Sequence, residues 1–299
     1  MAVFLSPETT TQQHRALASY RLIDAYTDFI LSRQAMNCAV NTMKFYASTA
    51  GRFLQWCETQ GITEPGEVTA RIVRQYLAFL QGADRTRHAH ARAIKTLLRF
   101  WHREGYITQA VIFDMPKIAK KRLPVLTGDQ VKEIVKACDV RDRAIVLFMA
   151  DSGLRRGEVC ALDWADVDMQ SGTVIVKRGK GGKPRISRIG AKTRRALLAY
   201  RRTLADREGV LFRSRRGDRL TGSGLLLIFR RLSKRTGIHV TPHAMRRTWA
   251  ILSLRAGMDA LFVQGLGGWA DLEMVSYYAS LEDDDLLQAH REHSPIDNL

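Results

Sequence analysis

Four short segments in the second half of the chain carry side chains suited to chemistry on a phosphate. SGLRRGEVCAL places Arg155 just after a glycine turn and Glu158 three residues later, on the same side if a helix begins there. RGKGGKPR presents Lys180 and Lys183 on a glycine-rich turn. TPHAMRRT sets His243 and Arg246 three apart, so one helical face offers an imidazole and a guanidinium together. GGWADLEMVSYYA brings Trp269 and the adjacent Tyr277 and Tyr278 into one stretch. A phosphodiester repels an incoming nucleophile, and its pentacoordinate transition state gathers still more charge on oxygen. Arginine forks match those oxygens, and each well-placed donor can lower the barrier by about 3 kcal/mol. A tyrosine, with an ordinary pKa near ~10, needs both a positive field and a base before it can attack. A lysine can protonate the departing oxygen. Each segment alone also has a plainer reading: a surface ion pair, a simple turn, a chance HxxR in a basic helix, packed aromatics.

The composition narrows the partner. Forty-seven Lys and Arg against 30 Asp and Glu leave a formal charge of +17 in 299 residues. Such self-repulsion is costly unless a polyanion is the usual partner, and nucleic acid is the first suspect. The length is more than one core usually serves, which predicts two domains. No apolar run approaches bilayer-spanning length and the N-terminus lacks a signal peptide's pattern, so an intracellular, cytoplasmic and nucleoid-associated protein is expected. Cys38, Cys57, Cys138 and Cys160 are scattered and read as reduced thiols in helices, with no disulfide frame and no metal site.

The elements that must position these groups follow from periodicity. From Ala16 to Tyr106 apolar residues return every three or four positions, in four helical segments. The first runs through Leu22, Ile23, Tyr26 and Ile30, and the second opens at a predicted N-cap, Asn41, and continues to Cys57. The third follows Thr69 up to Gly82. The fourth sets Ile94, Leu97, Leu98 and Trp101 on one side against Arg85, Arg87, Arg92, Lys95, Arg99 and Arg103 on the rest. That basic face suits a DNA groove, and a solvated charged face is the bland alternative. Lys117, Lys120, Lys121 and Arg122 lie between Pro116 and Pro124 in a stretch that reads as a basic linker. Thr127 and Gln130 then form a capping-box pattern that opens a new helical domain. Within it, Thr173 to Lys177 and Pro184 to Ile189 predict a hairpin around Gly179 to Gly182.

In this order and at these separations the four segments resemble the tyrosine recombinase family of phage integrases, Xer proteins and Cre, over nearly the whole chain from about Thr27. The resemblance implies a mainly α fold with a small β-sheet: a helical core-binding, SAM-like domain over 16–116, a linker over 117–124, and an α+β catalytic domain over 125–299 with a tail from about 281. The family's T/S-G-L-R-x-S/G-E segment appears as SGLRRGE, which maps the first catalytic arginine onto Arg155 with Glu158 as its acidic companion. G-K-G-x-K maps the hairpin lysine onto Lys180, with Lys183 close enough to take its place or to contact DNA. H-x-L-R appears as His243, Ala244, Met245 and Arg246, Met replacing Leu at similar volume. Arg247 stands where many relatives have His and is expected as a phosphate contact or ion-pair partner. The last box departs most. Trp269 holds the usual histidine position, as in Cre-like members, and Tyr277 replaces the common arginine. An indole N–H can donate to a phosphate oxygen but cannot shuttle protons. The nucleophile maps onto Tyr278, which keeps the family's separation and precedes Ala279.

By this resemblance Arg155 and Arg246 hold the nonbridging oxygens, His243 is the base, Lys180 the acid, and Glu158 orients Arg155 or His243. The product is a 3′-phosphotyrosine with a free 5′-hydroxyl, made without ATP, metal or other cofactor. The chain has no Walker motif, and Asp283, Asp284 and Asp285 are consecutive rather than spread over a fold, which disfavours a divalent-metal transposase. The implied partner is double-stranded DNA at a short inverted-repeat core site, bound as a homotetramer on two sites, with no membrane. Two alternatives stand beside the recombinase: a type IB topoisomerase-like enzyme and a non-catalytic DNA-binding regulator of the same fold. Leu286 and Leu287 in the tail either dock in a neighbouring subunit or sit on a frayed surface helix.

Overall fold

The computed structural model describes residues 20–118, 125–177, 184–272 and the single positions 291, 294 and 296. The chain divides into two compact units, 1–121 and 122–299.

The first unit holds four helices among its described residues: α1 (Leu22–Ala35), α2 (Val40–Thr59), α3 (Ala70–Phe79) and α4 (Asp84–Arg103). Thr69 caps α3, its hydroxyl accepting from the Ile72 backbone N–H. Helix α2 departs from the predicted start. Asn41 lies inside the first turn, and the extended Ala39 precedes the helix, its carbonyl accepting from Thr42 and Met43. The asparagine that shapes this corner is Asn37, whose left-handed φ of 53° lets the chain turn between α1 and α2. Helix α3 also stops earlier than predicted, with Leu80 extended at its end. The core gathers Leu22, Ala25 and Phe29, Phe53 and Leu54, Tyr76, and Ile94, Leu97 and Trp101. Ile23, placed on the apolar stripe by periodicity, is exposed, and Ala25 takes its place. Trp101 is fully buried and its indole N–H donates to the Ala25 carbonyl at 3.1 Å, so truncating it to alanine would cost about 3–5 kcal/mol.

The second unit begins at α5 (Gly128–Lys136), where Thr127 and Gln130 form the reciprocal capping box. It continues through α6 (Val140–Ser152), α7 (Arg156–Ala161), β1 (Thr173–Val176), β2 (Arg185–Arg188), α8 (Ala191–Arg202), α9 (Gly222–Thr236), α10 (Pro242–Arg255) and α11 (Ala260–Gly267). Helix α6 packs against both α8 and α10. The strands pair antiparallel, Thr173 opposite Arg188 and Val176 opposite Arg185. Val174 and Val176 face the core while Ile175 and Ile186 face outward. The same alternation turns Ser187 and Arg185 inward. The Ser187 hydroxyl donates to the Ser152 carbonyl at 2.6 Å, tying β2 to the end of α6.

The four cysteines are free thiols, but Cys38 and Cys138 lie in loops rather than helices. Burial pushes the Cys57 and Cys138 thiols up to about 12. Among the described residues no helix is long and apolar enough to cross a membrane, and no His, Cys, Asp and Glu cluster could hold a metal ion.

Candidate active site

The site is assembled in the second unit around two helix ends. Helix α6 stops at Gly153, whose φ of +61° is the left-handed turn that glycine adopts without strain. The turn delivers Arg155 as the residue that opens α7 and Glu158 into the first turn. The Glu158 carboxylate accepts from the Arg155 backbone N–H at 2.7 Å and from the Arg155 guanidinium at 3.0 Å. One helix later, Thr241 caps α10 by accepting from the Ala244 N–H, with Pro242 in the first turn. His243 therefore sits exposed at the start of α10, and Arg246, one turn on, is buried to 5% exposure.

What holds the arginines in place is the other helix end. Helix α11 closes at Gly268, in a left-handed conformation with φ +66°. Three successive carbonyls at this end each accept from a different guanidinium: Leu266 from Arg185 Nε at 3.1 Å, Gly267 from Arg246 Nη2 at 2.6 Å, and Gly268 from Arg155 Nη2 at 2.7 Å. These are carbonyls a helix leaves unsatisfied, at the negative end of its dipole, so cations are favoured there. Arg246 also donates to the Gly153 carbonyl, joining the two helix ends. Its Cζ lies 4.3 Å from the Trp269 ring centroid, and Trp269 stacks on Trp249 at 6.0 Å and 24°. Trp269 thus packs the buried arginine. A side chain on Gly267 would run into the Trp269 ring at 2.2 Å.

Charge sets the protonation states. Burial acts to raise the Glu158 pKa, but the side-chain bonds from Arg185, the Arg155 N–H, the Arg185 charge and the Arg155 side chain outweigh it and bring the group down to about 2. Although His243 is exposed as a residue, its neighbours strip part of the water from the ring, and this desolvation, followed by the like charges of Arg247, Arg156, Arg246 and Arg155, pushes its pKa below the ordinary 6.5. The imidazole is therefore neutral near pH 7 and free to accept a proton.

Of the residues singled out in the sequence, the structure brings Arg155, Glu158, His243, Arg246 and Trp269 together, with Arg247 half-buried beside them on α10. Lys180, Lys183, Tyr277 and Tyr278 lie outside the described residues, as do Lys120, Lys121, Arg122 and the tail from 281 except position 291, 294 and 296. Sequence reasoning missed Arg185 and the carbonyls of 266–268. Arg185 was legible in principle: in PRISRI the period of two puts it on the same inward face as Ser187, and an inward arginine on a strand needs a buried acid.

In the first unit, Arg85, Arg92 and Arg99 recur at every seventh position and stay exposed, opposite the buried Ile94, Leu97 and Trp101. Lys95 beside them is half-buried. Arg92 lies 5.0 Å over the Phe45 ring. Arg87 folds back onto its own unit, donating to the Leu80 carbonyl and pairing with Asp84, each at 3.3 Å.

Comparison with known proteins bears on all of this. Residues 124–285 match the model of the phage integrase family. The tyrosine recombinase XerA of Pyrococcus horikoshii is 30% identical over 263 residues, covering 87% of this chain and 90% of that protein. The tyrosine recombinase XerC of Oceanobacillus iheyensis is 28% identical over 297 residues, covering 92% and 96%. Among solved structures, a XerA recombinase is 27% identical with a TM-score of 0.53, covering 91% of this chain and 98% of that one. A lambda integrase dimer bound to a COC' core site is 19% identical with a TM-score of 0.73, covering 87% and 95%, a likeness of fold.

Proposed function

The chain belongs to the phage integrase family and is a site-specific tyrosine recombinase, an enzyme that cleaves and rejoins DNA, and on that premise we propose that Arg155, Lys180, His243, Arg246 and Tyr278 carry the strand exchange. The observation that carries this reading is the convergence of Arg155 and Arg246 on neighbouring carbonyls of one helix end, with His243 one turn before Arg246 on the same helix.

The Tyr278 phenol oxygen attacks the scissile phosphorus, and the bond to the 5′ oxygen breaks. His243 takes the phenol proton, and Lys180 gives a proton to the departing oxygen. Arg155 and Arg246 meet the charge that develops on the nonbridging oxygens, and because their anchors are already in place these two side chains need little reorganisation at the moment of reaction. The 3′-phosphotyrosine keeps the bond energy, so the 5′-hydroxyl of another DNA end reverses the step. Trp269 supports Arg246 by packing and takes no part in proton transfer.

Both units supply DNA affinity in this reading, the first through Arg85, Arg92, Lys95 and Arg99, with Arg87 bracing that helix; Lys120, Lys121, Arg122, Lys183 and Arg247 add phosphate contacts. Structural relatives support DNA as the partner and a multimer as the working form: the lambda and Tn1549 integrases were solved on DNA, one lambda structure as a tetramer bound to a Holliday junction. A homotetramer on two inverted-repeat core sites is the assembly proposed here. The curated relatives are recombinases, and neither a topoisomerase nor a non-catalytic regulator is favoured.

The test is covalent trapping. Tyr278→Phe is expected to abolish adducts with nicked suicide duplexes while leaving DNA binding intact, and Tyr277→Phe to remain active. The exchanged result would move the nucleophile to Tyr277, and adducts from the double variant with both tyrosines replaced by phenylalanine would remove the tyrosine pair from the chemistry. Sequencing the DNA trapped by the unaltered protein identifies the core site.

A further inference from the structure

Arg185 has no place in the mechanism above, yet all three nitrogens of its guanidinium are hydrogen-bonded. It stands on the inner face of β2, opposite Val176, with its side chain 12% exposed. Its Nη1 donates to Glu158 Oε1 at 2.7 Å and its Nη2 to Oε2 at 2.6 Å, a fork-to-fork pair, while its Nε reaches the Leu266 carbonyl. Arg155 makes only one side-chain bond to the same carboxylate, the longer one at 3.0 Å.

We propose that Arg185 is a positioning residue for strand cleavage: by taking both oxygens of Glu158 it keeps the Arg155 guanidinium turned to the phosphate and leaves its positive charge only partly neutralised. The proposal rests on the recombinase reading of the site.

Two guanidiniums share one carboxylate, so the trio of Arg155, Glu158 and Arg185 carries a net positive charge, whereas Arg155 and Glu158 alone would be neutral. The carboxylate is 5% exposed, held well away from water, and so must be paired. Without Arg185 the nearest cation able to satisfy both of its oxygens is Arg155 itself, three residues away. A bidentate closure of Glu158 on Arg155 would use the edge of the fork that a phosphate needs, and would cancel its charge in a poorly hydrated site where charge counts most. Gly268 adds geometric support. A side chain there would lie 2.7 Å from Arg185 Cδ and Nε, so the absence of a Cβ is what lets the arginine reach past the helix end to Glu158.

The experiment uses the full chain and a nicked duplex carrying the sequence recovered by trapping the unaltered protein on sheared DNA from its source cells. Covalent adduct formation is timed at saturating protein, affinity for the intact duplex is measured in parallel, and each variant's thermal melt is recorded. Arg185→Gln is expected to slow adduct formation roughly 100-fold, the scale of losing one charge-stabilising donor, with much less change in affinity. Arg185→Lys, which keeps the charge without the fork, should cleave roughly tenfold faster than Arg185→Gln. The decisive comparison is the double variant. With Glu158→Gln in place the carboxylate that Arg185 withholds from Arg155 is gone, so adding Arg185→Gln should cost little further, about threefold or less. Additive losses in the double variant, or cleavage by Arg185→Gln within about threefold of the unaltered chain, would overturn the proposal. So would a loss of cleavage that tracks the melting temperature across all variants, which is what a purely structural strut would give. If the unaltered protein traps no DNA, the recombinase reading of the site fails and takes this role with it; if it traps DNA and Arg185→Gln does so equally, only the role of Arg185 falls.

Discussion

Gly153 offers a measurement of how tightly the two ends of the site are bound together. It ends α6 with φ +61°, and a Cβ built there would lie 2.1 Å from Cε3 of Trp249. Gly237 ends α9 in the same unit with φ +72° and has nothing within 4 Å of the corresponding position. The two glycines therefore share the backbone cost of a left-handed alanine and differ in the collision. Gly237→Ala should cost only that backbone term, about 1–2 kcal/mol. Gly153→Ala should cost the same and, in addition, about 1–3 kcal/mol of overpacking. The ring cannot step aside cheaply, since Trp249 is 5% exposed and stacked on Trp269. Hydrogen–deuterium exchange of segments 140–152 and 222–236, with urea unfolding of each variant, reads both numbers within one protein. Gly153→Ala should also lower DNA cleavage, because the Gly153 carbonyl anchors Arg246. Equal destabilisation by the two substitutions would refute the reasoning, as it would mean that the α6 terminus and the tryptophan stack yield independently.

Acid should act on the site in two windows. The His243 pKa is lowered in the folded chain, so the unfolded chain takes up the proton first; its contribution to stability is present above the ordinary 6.5 and is lost as pH falls from there through the folded value. Cleavage should show the same acid limb, and in His243→Gln that limb should vanish along with most of the rate. Glu158, brought from 4.5 to about 2, contributes about 3 kcal/mol above pH 4.5, lost as pH falls toward 2, which acid titration of Glu158→Gln against the unaltered chain would detect. Replacing Arg85, Arg92 or Arg99 by alanine should each reduce the slope of log affinity against log salt by about one, and a fragment of residues 1–119 should bind DNA at low salt; an unchanged slope would make this a solvated face only. Deleting the chain after Glu282 should weaken synapsis of two sites more than binding of one, checked by light scattering on one-site and two-site DNA, and equal effects would leave Leu286 and Leu287 without an assembly role.

Much of this architecture could be read before any coordinates, and the parts that could not share a cause. The capping box at Thr127 and Gln130, the helix start after Thr69 and the hairpin strands were legible because they depend on side-chain identity at fixed local spacing. Asn41 misled because a good capping residue was taken for the cap, when the turn set by Asn37 had already delivered the chain at Ala39. Ile23 misled because hydrophobicity alone does not choose between neighbouring faces, and the close approach of α1 to α4 favours the small Ala25, whose carbonyl meets Trp101. Within the site, Arg155, Glu158, His243 and Arg246 were recognisable as side chains in motifs. Their common anchor was not, because it consists of main-chain oxygens contributed by Leu266, Gly267 and Gly268.

That anchor would be almost invisible to a mutational scan. Replacing Leu266 by alanine leaves its carbonyl in place, so the scan would report only the loss of a side chain packed against Trp249, Ala250 and Val263. Replacing Gly267 or Gly268 fails for a different reason, since the new Cβ meets Trp269 or Arg185, and the loss would be blamed on crowding. Neither result touches the electron density on oxygen that the guanidiniums use. Editing the main chain would. An ester in place of the peptide link between Leu266 and Gly267 keeps every side chain while it weakens the Leu266 acceptor and removes the Gly267 N–H, so semisynthesis, rather than codon change, is the way to ask how much of the arginine alignment a helix end supplies.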